Sequence, residues 1–478
     1  MNRAMARVYI VGAVLFLALI VNVTYLQVFA AHSLSNKPEN HRRIAEELKI
    51  KRGKILAYDG SVIAASRRRS GYYLRTYPQG TLAPQIIGYH SVALGESGIE
   101  QSMNDYLTGK STDLGVQTLL DKLLGRRPVG ADVRLTIVPA VQRAAQSALT
   151  GHVGAVVVLD PRNGAVIASA STPTYSSGDL ENDWAKLSKD PASPLFNRAM
   201  QGLYPPGSAF KVLTAAAALN TGRVGPLTLF NDTGTYVVYG GKVTNYGGEV
   251  AGPNTFTQAL TFSINTTFGK VGDRLGEKRL VDYMQRAGFW QTPSVDLPSG
   301  AVATSGRYDW PKLLAPDAPM DPLAVAWAAV GQEKVLATPL QMVMVAAAVA
   351  NDGMAVQPYL VQEVTAAGGA AVKRTTAQKL GRVMSVKTAH ELNLMMQQVV
   401  LSGTGVKAAL SGIKVAGKTG TAEKGTTNQA WFVAFAPADA PRVAIVVTIE
   451  KTSETGGVVA APLAALVMKA ALAQAQLP

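Results

Sequence analysis

A segment at residues 204–211, with two prolines and a glycine just before Ser208, constrains the fold of this 478-residue chain most strongly. Prolines and glycine exclude a helix before Ser208, whereas the small and apolar residues 212–219 permit one until Asn220. A helix that is apolar nearly all round leaves no polar face for water. The sequence therefore predicts a buried helix with Ser208 in its first turn.

Lys211 lies three residues after Ser208, so both side chains lie on one face of this helix. A buried ammonium is costly unless it is paired or loses its proton. A neutral lysine beside a serine hydroxyl is a base beside a nucleophile. The same spacing recurs at Ser411 and Lys414, so this segment alone leaves a second interpretation open, a helix N-cap with a solvated lysine.

Composition limits the classes of function. The chain is long enough for two or three domains, and 47% hydrophobic against 16% charged residues indicate a large core. It has no cysteine, and its five histidines show no metal-binding spacing, so we predict no catalytic metal and no cofactor. The net charge of +14 comes without a nucleic-acid-binding module. It favours an anionic membrane or polymer over a nucleic acid as partner.

The N-terminal segment is typical of a membrane anchor. Arg3 and Arg7 precede residues 8–31, a charge-free run long enough to span a bilayer as one helix. The apolar core of a secretory signal is shorter, about 7–15 residues. We predict an uncleaved single-pass anchor with a cytoplasmic N-terminus and an extracytoplasmic body. A cleaved signal peptide is the alternative.

The remaining pattern divides the chain into units at residues 1–32, 33–150 and 151–478. The second unit is basic and strand-like, with strands at 52–56 and 59–64 joined through an Asp-Gly turn. In the third, two strands, a helical block and three further strands predict one sheet with helices on both sides. The predicted segments are a helix at 138–149, strands at 154–159 and 165–171, helices within 197–351, strands at 415–421, 431–436 and 443–450, and a helix at 459–476.

Two further motifs follow the first. Ser263 and Asn265 occupy a predicted helix-to-helix connection. Residues 412–419 match the phosphate-loop pattern G-x-x-x-x-G-K-[ST], but that loop requires a helix to begin at its lysine, here Lys418. Glycines, threonines and a strand follow instead. The alternative is a strand edge that pairs with an extended peptide while Lys418 and threonine hydroxyls hold a carboxylate.

The three motifs occur in one order, with Ser208 and Lys211 first, Ser263 55 residues after Ser208, and Lys418 155 residues after Ser263. In this order the chain resembles the class B penicillin-binding proteins, monofunctional D,D-transpeptidases of the bacterial wall, without extra C-terminal modules. The resemblance implies a mixed α+β and α/β fold. The expected catalytic unit has a five-stranded, mostly antiparallel sheet with helices on both sides, plus an all-helical subdomain. We expect this unit to follow a membrane anchor and a β-rich, dimerisation-like pedestal. Further matching segments are 52–60, 98–100, 154–173, 197–199, 331–332, 338–342, 350–353 and 431–432.

What the resemblance implies for the chemistry is acyl transfer in two steps. Ser208 attacks the penultimate D-alanine of a stem pentapeptide ending in D-Ala-D-Ala, and an amine of a neighbouring chain then forms the cross-link. Lys211 is the implied base, although the base is disputed across the wider superfamily. Ser263 relays a proton between Lys418 and the leaving amine, and Asn265 holds the substrate amide.

The remaining implied roles belong to the third motif. Thr419, Gly420 and Thr421 bind the terminal carboxylate, and the backbone amides of Ser208 and Thr421 form the oxyanion hole. The implied ligands and partners are β-lactam antibiotics, membrane lipid and a polytopic membrane glycosyltransferase of the shape, elongation, division and sporulation family. The alternatives are a β-lactam hydrolase or D,D-carboxypeptidase, which deacylates with water, and a β-lactam sensor. The sequence leaves open whether the protein serves division or elongation, and which amine it uses.

Overall fold

The computed structural model describes residues 3–29, 41–114 and 129–478. A helix at Arg3–Thr24 continues as a π-helical segment at Tyr25–Phe29. Within it, Arg7–Gln27 is long and apolar enough to cross a bilayer, and it is not buried against the rest of the chain. Residues 30–31 of the predicted anchor lie outside the described residues.

The first folded unit is built on a six-stranded sheet, called here the pedestal sheet. The predicted hairpin is confirmed, because Ile55–Leu56 pairs antiparallel with Val62–Arg69. Among the described strands of this sheet, only Ile55–Leu56 and Asp132–Leu135 pair in parallel. In spatial order the strands are Ala371–Arg374, Val361–Thr365, Asp132–Leu135, Ile55–Leu56, Val62–Arg69 and Tyr72–Thr76.

Buried charges hold the pedestal together. Arg52 donates to Glu100 Oε2 at 3.0 Å, and Arg75 donates to Glu100 Oε1 at 2.6 Å. Burial alone raises the pKa of Glu100, but Arg75 and Arg52 lower it to about 2, so the carboxylate stays ionised. Around this network lie a strand pair, His90–Ser91 with Gly95–Glu96, the helices His41–Glu47, Pro84–Ile87, Gly98–Ser102 and Asn104–Leu107, and the 3-10 turn Thr112–Leu114.

The second folded unit contains a five-stranded sheet, called here the catalytic sheet. All its neighbouring strands are antiparallel, and the five strands predicted from the sequence are confirmed to within a few residues at their ends. In spatial order they are Ala416–Lys424, Thr427–Ala436, Val443–Thr452, Gly154–Leu159 and Val166–Thr172.

Side chains alternate between two hydrophobic cores on the two faces of this sheet. Val157 belongs to one core and Val158 to the other. The helices Pro139–Ala148 and Ala460–Leu472 cover one face, and Pro339–Ala350 packs on the opposite face. The predicted layering, helices on both sides of one sheet, is confirmed.

A mainly helical subdomain lies between the second and third sheet strands of the sequence. Its helices, with those that border it, are Leu180–Leu187, Lys211–Asn220, Phe256–Thr261, Asn265–Leu275, Glu277–Arg286, Pro322–Ala329, Pro339–Ala350 and Val386–Leu401. Short strands interrupt it, and the sequence pattern did not predict them because each has only two to four residues. They are Leu229–Asp232, Thr235–Val238, Gly241–Thr244, Gly252–Thr255, Gly306–Asp309, Lys312–Leu313, Val335–Leu336, Met354–Val356 and Lys379–Arg382. Three 3-10 turns at Gly207–Phe210, Tyr246–Gly248 and Val406–Ala408 complete the described elements of this unit.

Candidate active site

Ser208 lies in the 3-10 turn Gly207–Phe210, which runs directly into the helix Lys211–Asn220. The predicted helix start is therefore confirmed, with the first turn wound more tightly than an α-helix. Gly207 has a φ of 51°, and a Cβ at this position would lie 2.7 Å from the carbonyl oxygen of Thr421. Only glycine permits both the left-handed conformation and this close approach.

Lys211 is fully buried at the start of that helix. Its Nζ lies 2.7 Å from Ser263 O, 2.7 Å from Asn265 Oδ1 and 3.2 Å from Ser263 Oγ. Among the described residues no hydrogen bond joins Ser208 Oγ to Lys211 Nζ. The lysine predicted beside the nucleophile is thus held by the second motif, which folds over it.

Lys418 reaches the same serine from the edge strand Ala416–Lys424. Its Nζ donates to Ser263 Oγ at 2.9 Å and to Thr419 O at 2.9 Å. Burial, reinforced by the positive charge of Lys418, holds the pKa of Lys211 well below its usual range. Burial also lowers the pKa of Lys418 to about 7. Both shifts favour the uncharged amine of each lysine over its ammonium form.

Ser263 stands in the connection between the helices Phe256–Thr261 and Asn265–Leu275, as predicted. Its φ of 62° is unusual for a residue other than glycine. Strain of this kind persists only where the surroundings over-determine the conformation. Here the carbonyl and hydroxyl oxygens of Ser263 both face Lys211, and Asn265 Nδ2 is anchored on Thr244 O at 2.9 Å.

The strand Ala416–Lys424 forms one edge of the catalytic sheet. It pairs with Thr427–Ala436 on one side, and no strand among the described residues pairs with its other side. The strand continues through Lys418 without a helix, which excludes the phosphate-loop interpretation. The strand at the edge of the sheet is confirmed, and its pairing with an extended peptide stays a prediction.

Two threonines of this strand are held by neighbouring loops. Thr419 Oγ1 and Thr404 Oγ1 share a hydrogen bond of 2.6 Å, and Thr421 Oγ1 accepts from Gly456 N at 3.2 Å. Gly420 lies between them against the turn that carries Ser208, where a Cβ would meet Pro206 O at 2.8 Å. The edge strand therefore lies directly against the turn that carries Ser208.

These motifs meet in one cleft of about 290 Å³. Among the predicted site residues, Ser208, Ser263, Asn265, Thr419 and Thr421 line it, while Lys211 and Lys418 are buried beneath. The remaining lining residues belong to none of the three motifs, so no sequence pattern assigned them to the site, although Gln332 lies in the matching segment 331–332. They are Thr244, Asn245, Tyr246, Glu249, Phe262, Trp327, Gln332, Thr404, Glu423, Thr455 and Gly457.

A further set of contacts fixes the segment that leads into the nucleophile turn. Tyr204 Oη donates to Glu450 Oε1 at 2.6 Å, and Arg198 Nε donates to the same oxygen at 2.9 Å. Trp431 Nε1 donates to Pro205 O at 3.0 Å. These partners come from distant strands, so no local signal in the sequence indicates them.

Comparison with known proteins identifies the family. Residues 154–469, about two thirds of the chain, match the penicillin binding protein transpeptidase domain. The chain belongs to this family. Residues 52–133 match the penicillin binding protein A dimerisation domain. The resemblance to the class B penicillin-binding proteins, inferred from the motif order, is confirmed.

Similar penicillin-binding proteins match this chain over most or nearly all of its length. A relative from Mycolicibacterium smegmatis, named peptidoglycan D,D-transpeptidase PbpA, is 36% identical over 99% of both chains. The ceftriaxone acyl-enzyme of penicillin-binding protein A from Mycobacterium tuberculosis is 33% identical, with a TM-score of 0.81 over 89% of this chain and 99% of that one. A D,D-transpeptidase domain of a peptidoglycan glycosyltransferase from Eggerthella lenta is 38% identical, with a TM-score of 0.79 over 89% of this chain and 98% of that one.

Proposed function

We propose that this chain is a peptidoglycan D,D-transpeptidase that cross-links stem peptides through an acyl-enzyme on Ser208, and that β-lactams acylate the same serine. The observation that carries the proposal is the position of Ser263 Oγ between two buried amines. It lies 3.2 Å from Lys211 Nζ and 2.9 Å from Lys418 Nζ, in the cleft that Ser208 lines. Such a chain of groups can move protons to and from an acyl centre without a metal ion.

In the first step, the Ser208 hydroxyl attacks the carbonyl carbon of the penultimate D-alanine. Lys211 accepts the proton that Ser208 loses, because burial and the charge of Lys418 lower its pKa and so favour the neutral amine, which carries a lone pair. Lys211 Nζ donates to Ser263 O and to Asn265 Oδ1. These two hydrogen bonds use both N–H bonds of the neutral amine and leave its lone pair free. The amine of Lys211 is then poised as an acceptor.

In the second step, the terminal D-alanine leaves as an amine and needs a proton. Ser263 passes a proton between Lys418 and this leaving nitrogen, since its Oγ is hydrogen-bonded to Lys418 Nζ. A pKa of about 7 suits Lys418 to give and regain that proton near neutral pH. An amine from a second stem peptide then attacks the ester, and the same groups carry its proton in the opposite direction.

Substrate binding uses the free edge of the catalytic sheet. An extended peptide adds to Ala416–Lys424 as a further strand, with Thr419, Gly420 and Thr421 around its terminal carboxylate. Asn265 holds the substrate amide. The backbone amides of Ser208 and Thr421 stabilise the oxyanion, and each such donor is worth about 3–4 kcal/mol in comparable enzymes.

The lifetime of the penicillin acyl-enzyme distinguishes this proposal from a β-lactam hydrolase. Glu249 and Glu423 line the same cleft, so the measurement also decides whether either carboxylate activates water. We expect benzylpenicillin to form an adduct that lasts many minutes, because its own ring amine stays tethered where the acceptor should enter. A mass-spectrometric time course of the full-length chain measures this. Hydrolysis at roughly 10 per second, an ordinary enzymatic rate, would overturn the proposal.

The helix Arg3–Thr24 is a candidate membrane anchor. We propose that it crosses the bacterial cell membrane once, with Arg3 and Arg7 on the cytoplasmic side and both folded units outside. Protease added to intact spheroplasts should then digest everything beyond about residue 32, the predicted end of the anchor. A protected body would contradict this orientation.

The predicted division of the chain into units 1–32, 33–150 and 151–478 remains a proposal.

The predicted partner, a polytopic membrane glycosyltransferase, is also a proposal. Such a partner fits an enzyme that cross-links newly made glycan chains next to the membrane. Co-purification of the tagged full-length chain with such an enzyme from the same membranes tests the partnership. Recovery of the chain without it under mild detergent would count against the assignment.

A further inference from the structure

The strands Val62–Arg69 and Tyr72–Thr76 form a hairpin, called here the basic hairpin, whose end has no role in the proposed chemistry. Ile55–Leu56 pairs with its first strand only as far as Ala64. Among the described residues, no third strand pairs with the part of the hairpin beyond Ala64. The end of the basic hairpin therefore extends past the pedestal sheet as a two-stranded ribbon.

Basic and apolar side chains share one face of this ribbon. Arg67 lies directly opposite Leu74, and Arg69 lies directly opposite Tyr72. Residues directly opposite each other, and residues two apart along one strand, have their side chains on the same face. All four side chains are exposed, Tyr72 by 46% and Leu74 by 38%. One face therefore presents two guanidinium groups beside an aromatic ring and an aliphatic side chain.

The positive charge of the ribbon is not neutralised within the described part of the chain. Arg67, Arg68 and Arg69 are exposed, and none of them forms an ion pair with a described side chain. Arg75 of the same hairpin differs, since it is buried and donates to Glu100 at 2.6 Å. Adjacent like charges repel one another, so an anionic partner would stabilise the ribbon.

The basic hairpin is bonded to the segment that follows the membrane anchor. The Tyr73 amide donates to the carbonyl oxygen of Leu48 at 2.7 Å, directly after the helix His41–Glu47. Residues 30–40 separate this helix from the segment Tyr25–Phe29, and a stretch of that length spans at most about 40 Å. The basic hairpin therefore lies within reach of the membrane that the anchor is proposed to cross.

An anionic phospholipid matches both kinds of side chain on this face. Guanidinium groups bind phosphate oxygens through paired hydrogen bonds. Tyrosine and leucine beside basic residues suit the boundary between lipid headgroups and acyl chains. A soluble anion would engage the arginines alone and leave Tyr72 and Leu74 in water.

We propose that the face formed by Arg67, Arg69, Tyr72 and Leu74 binds the headgroup phosphates of anionic phospholipids. The basic hairpin is then a second membrane contact besides the anchor, and it fixes the orientation of the pedestal on the bilayer. This inference goes beyond the proposed acyl transfer. It uses only the proposed anchor, which brings the hairpin to the membrane.

A fluorescent label at the hairpin turn tests the contact in the full-length chain. The chain has no cysteine, so Ser70→Cys provides a single labelling site next to Arg69. The labelled chain is reconstituted into vesicles of phosphatidylcholine alone or mixed equally with phosphatidylglycerol. Both contain a lipid whose spin-labelled headgroup quenches the label only at close range. We expect strong quenching in the anionic vesicles, weak quenching in the neutral ones, and a loss of the difference at high salt.

Removal of the two arginines of this face should release the hairpin. Each basic residue near an anionic surface contributes about fivefold to binding. Arg67→Gln combined with Arg69→Gln should therefore lower the bound-to-free ratio of the hairpin roughly thirtyfold in the anionic vesicles. The matched control is Arg223→Gln combined with Arg279→Gln, two exposed arginines of the helical subdomain, which should leave the quenching unchanged.

Quenching that is equal in both kinds of vesicle, or that persists without Arg67 and Arg69, would overturn the proposal. Quenching that inorganic phosphate abolishes more effectively than sodium chloride of equal ionic strength would assign the face to free phosphate and overturn it too. Flotation of the chain with the vesicles separates a failure of this contact from a failure of the anchor. Unchanged acylation of each variant by benzylpenicillin, or an unchanged circular dichroism spectrum, shows that the variant is folded and keeps the test independent of the proposed acyl transfer.

Discussion

At the residue scale, the site depends on two lysines that share one hydroxyl. The spacing of Ser208 and Lys211 predicted a buried amine beside a nucleophile, and Lys211 is fully buried. The spacing did not predict that Lys211 Nζ would be held by Ser263 and Asn265. Those residues lie more than fifty positions away, and helical periodicity carries no information over that distance.

Removal of Lys418 tests the electrostatic coupling between the lysines. The charge of Lys418 lowers the pKa of Lys211 beyond what burial does alone. In Lys418→Met that charge is absent, so the pKa of Lys211 should rise. Lys211 is then protonated at a higher pH than in the unmodified protein. The acid limb of the pH profile for residual penicillin acylation should therefore move to higher pH. Stopped-flow acylation rates across the acid-to-neutral range measure the shift.

The control for this experiment is Lys414→Met, because Lys414 has an exposed side chain and pairs with Asp439 at the surface. Its profile should coincide with that of the unmodified protein. An acid limb in Lys418→Met that stays in place or moves to lower pH would contradict the coupling.

At the scale of elements, the proposed catalysis requires the edge strand Ala416–Lys424 to lie against the turn Gly207–Phe210, which carries Ser208. The sequence predicted this strand and its neighbours because long apolar runs mark buried strands. It could not predict the short strand pairs near the cleft, such as Thr235–Val238 with Gly241–Thr244. Their few, partly exposed residues carry too little pattern.

Gly420→Ala tests the contact between strand and turn. The added Cβ would lie 2.8 Å from Pro206 O and 2.9 Å from Ala209 N, so one backbone must move. A displacement of about 1 Å at a reacting centre can cost on the order of a hundredfold in rate. We expect penicillin acylation to fall at least tenfold while the protein remains folded by circular dichroism.

Gly368→Ala serves as the matched control, since nothing lies within 4 Å of a Cβ at that position. It should acylate like the unmodified chain. If Gly420→Ala were acylated as fast as the unmodified chain, the close approach of strand and turn would not be required.

At the scale of the whole molecule, the two sheets differ in how far the sequence predicts them. The catalytic sheet follows from five long apolar strands and was predicted with its layers. The pedestal sheet takes Val361–Thr365 and Ala371–Arg374 from the far side of the helical subdomain. Val361–Thr365 pairs with Asp132–Leu135, more than 200 positions earlier, and Ala371–Arg374 then pairs with Val361–Thr365. The partly exposed side chains of these two strands give no sign of that long-range register. The predicted boundary at residues 150–151 therefore remains a prediction.

The central claim is that Ser208 is the acylated nucleophile, and peptide mapping after penicillin treatment tests it most directly. The full-length chain, incubated with benzylpenicillin and digested, should carry one penicilloyl adduct, located on Ser208 by tandem mass spectrometry. Ser208→Ala should carry none while keeping its fold, because we propose that Ser263, which is hydrogen-bonded to Lys418, acts as a relay and is not acylated. An adduct on Ser263 or elsewhere, or labelling that persists in Ser208→Ala, would contradict the account.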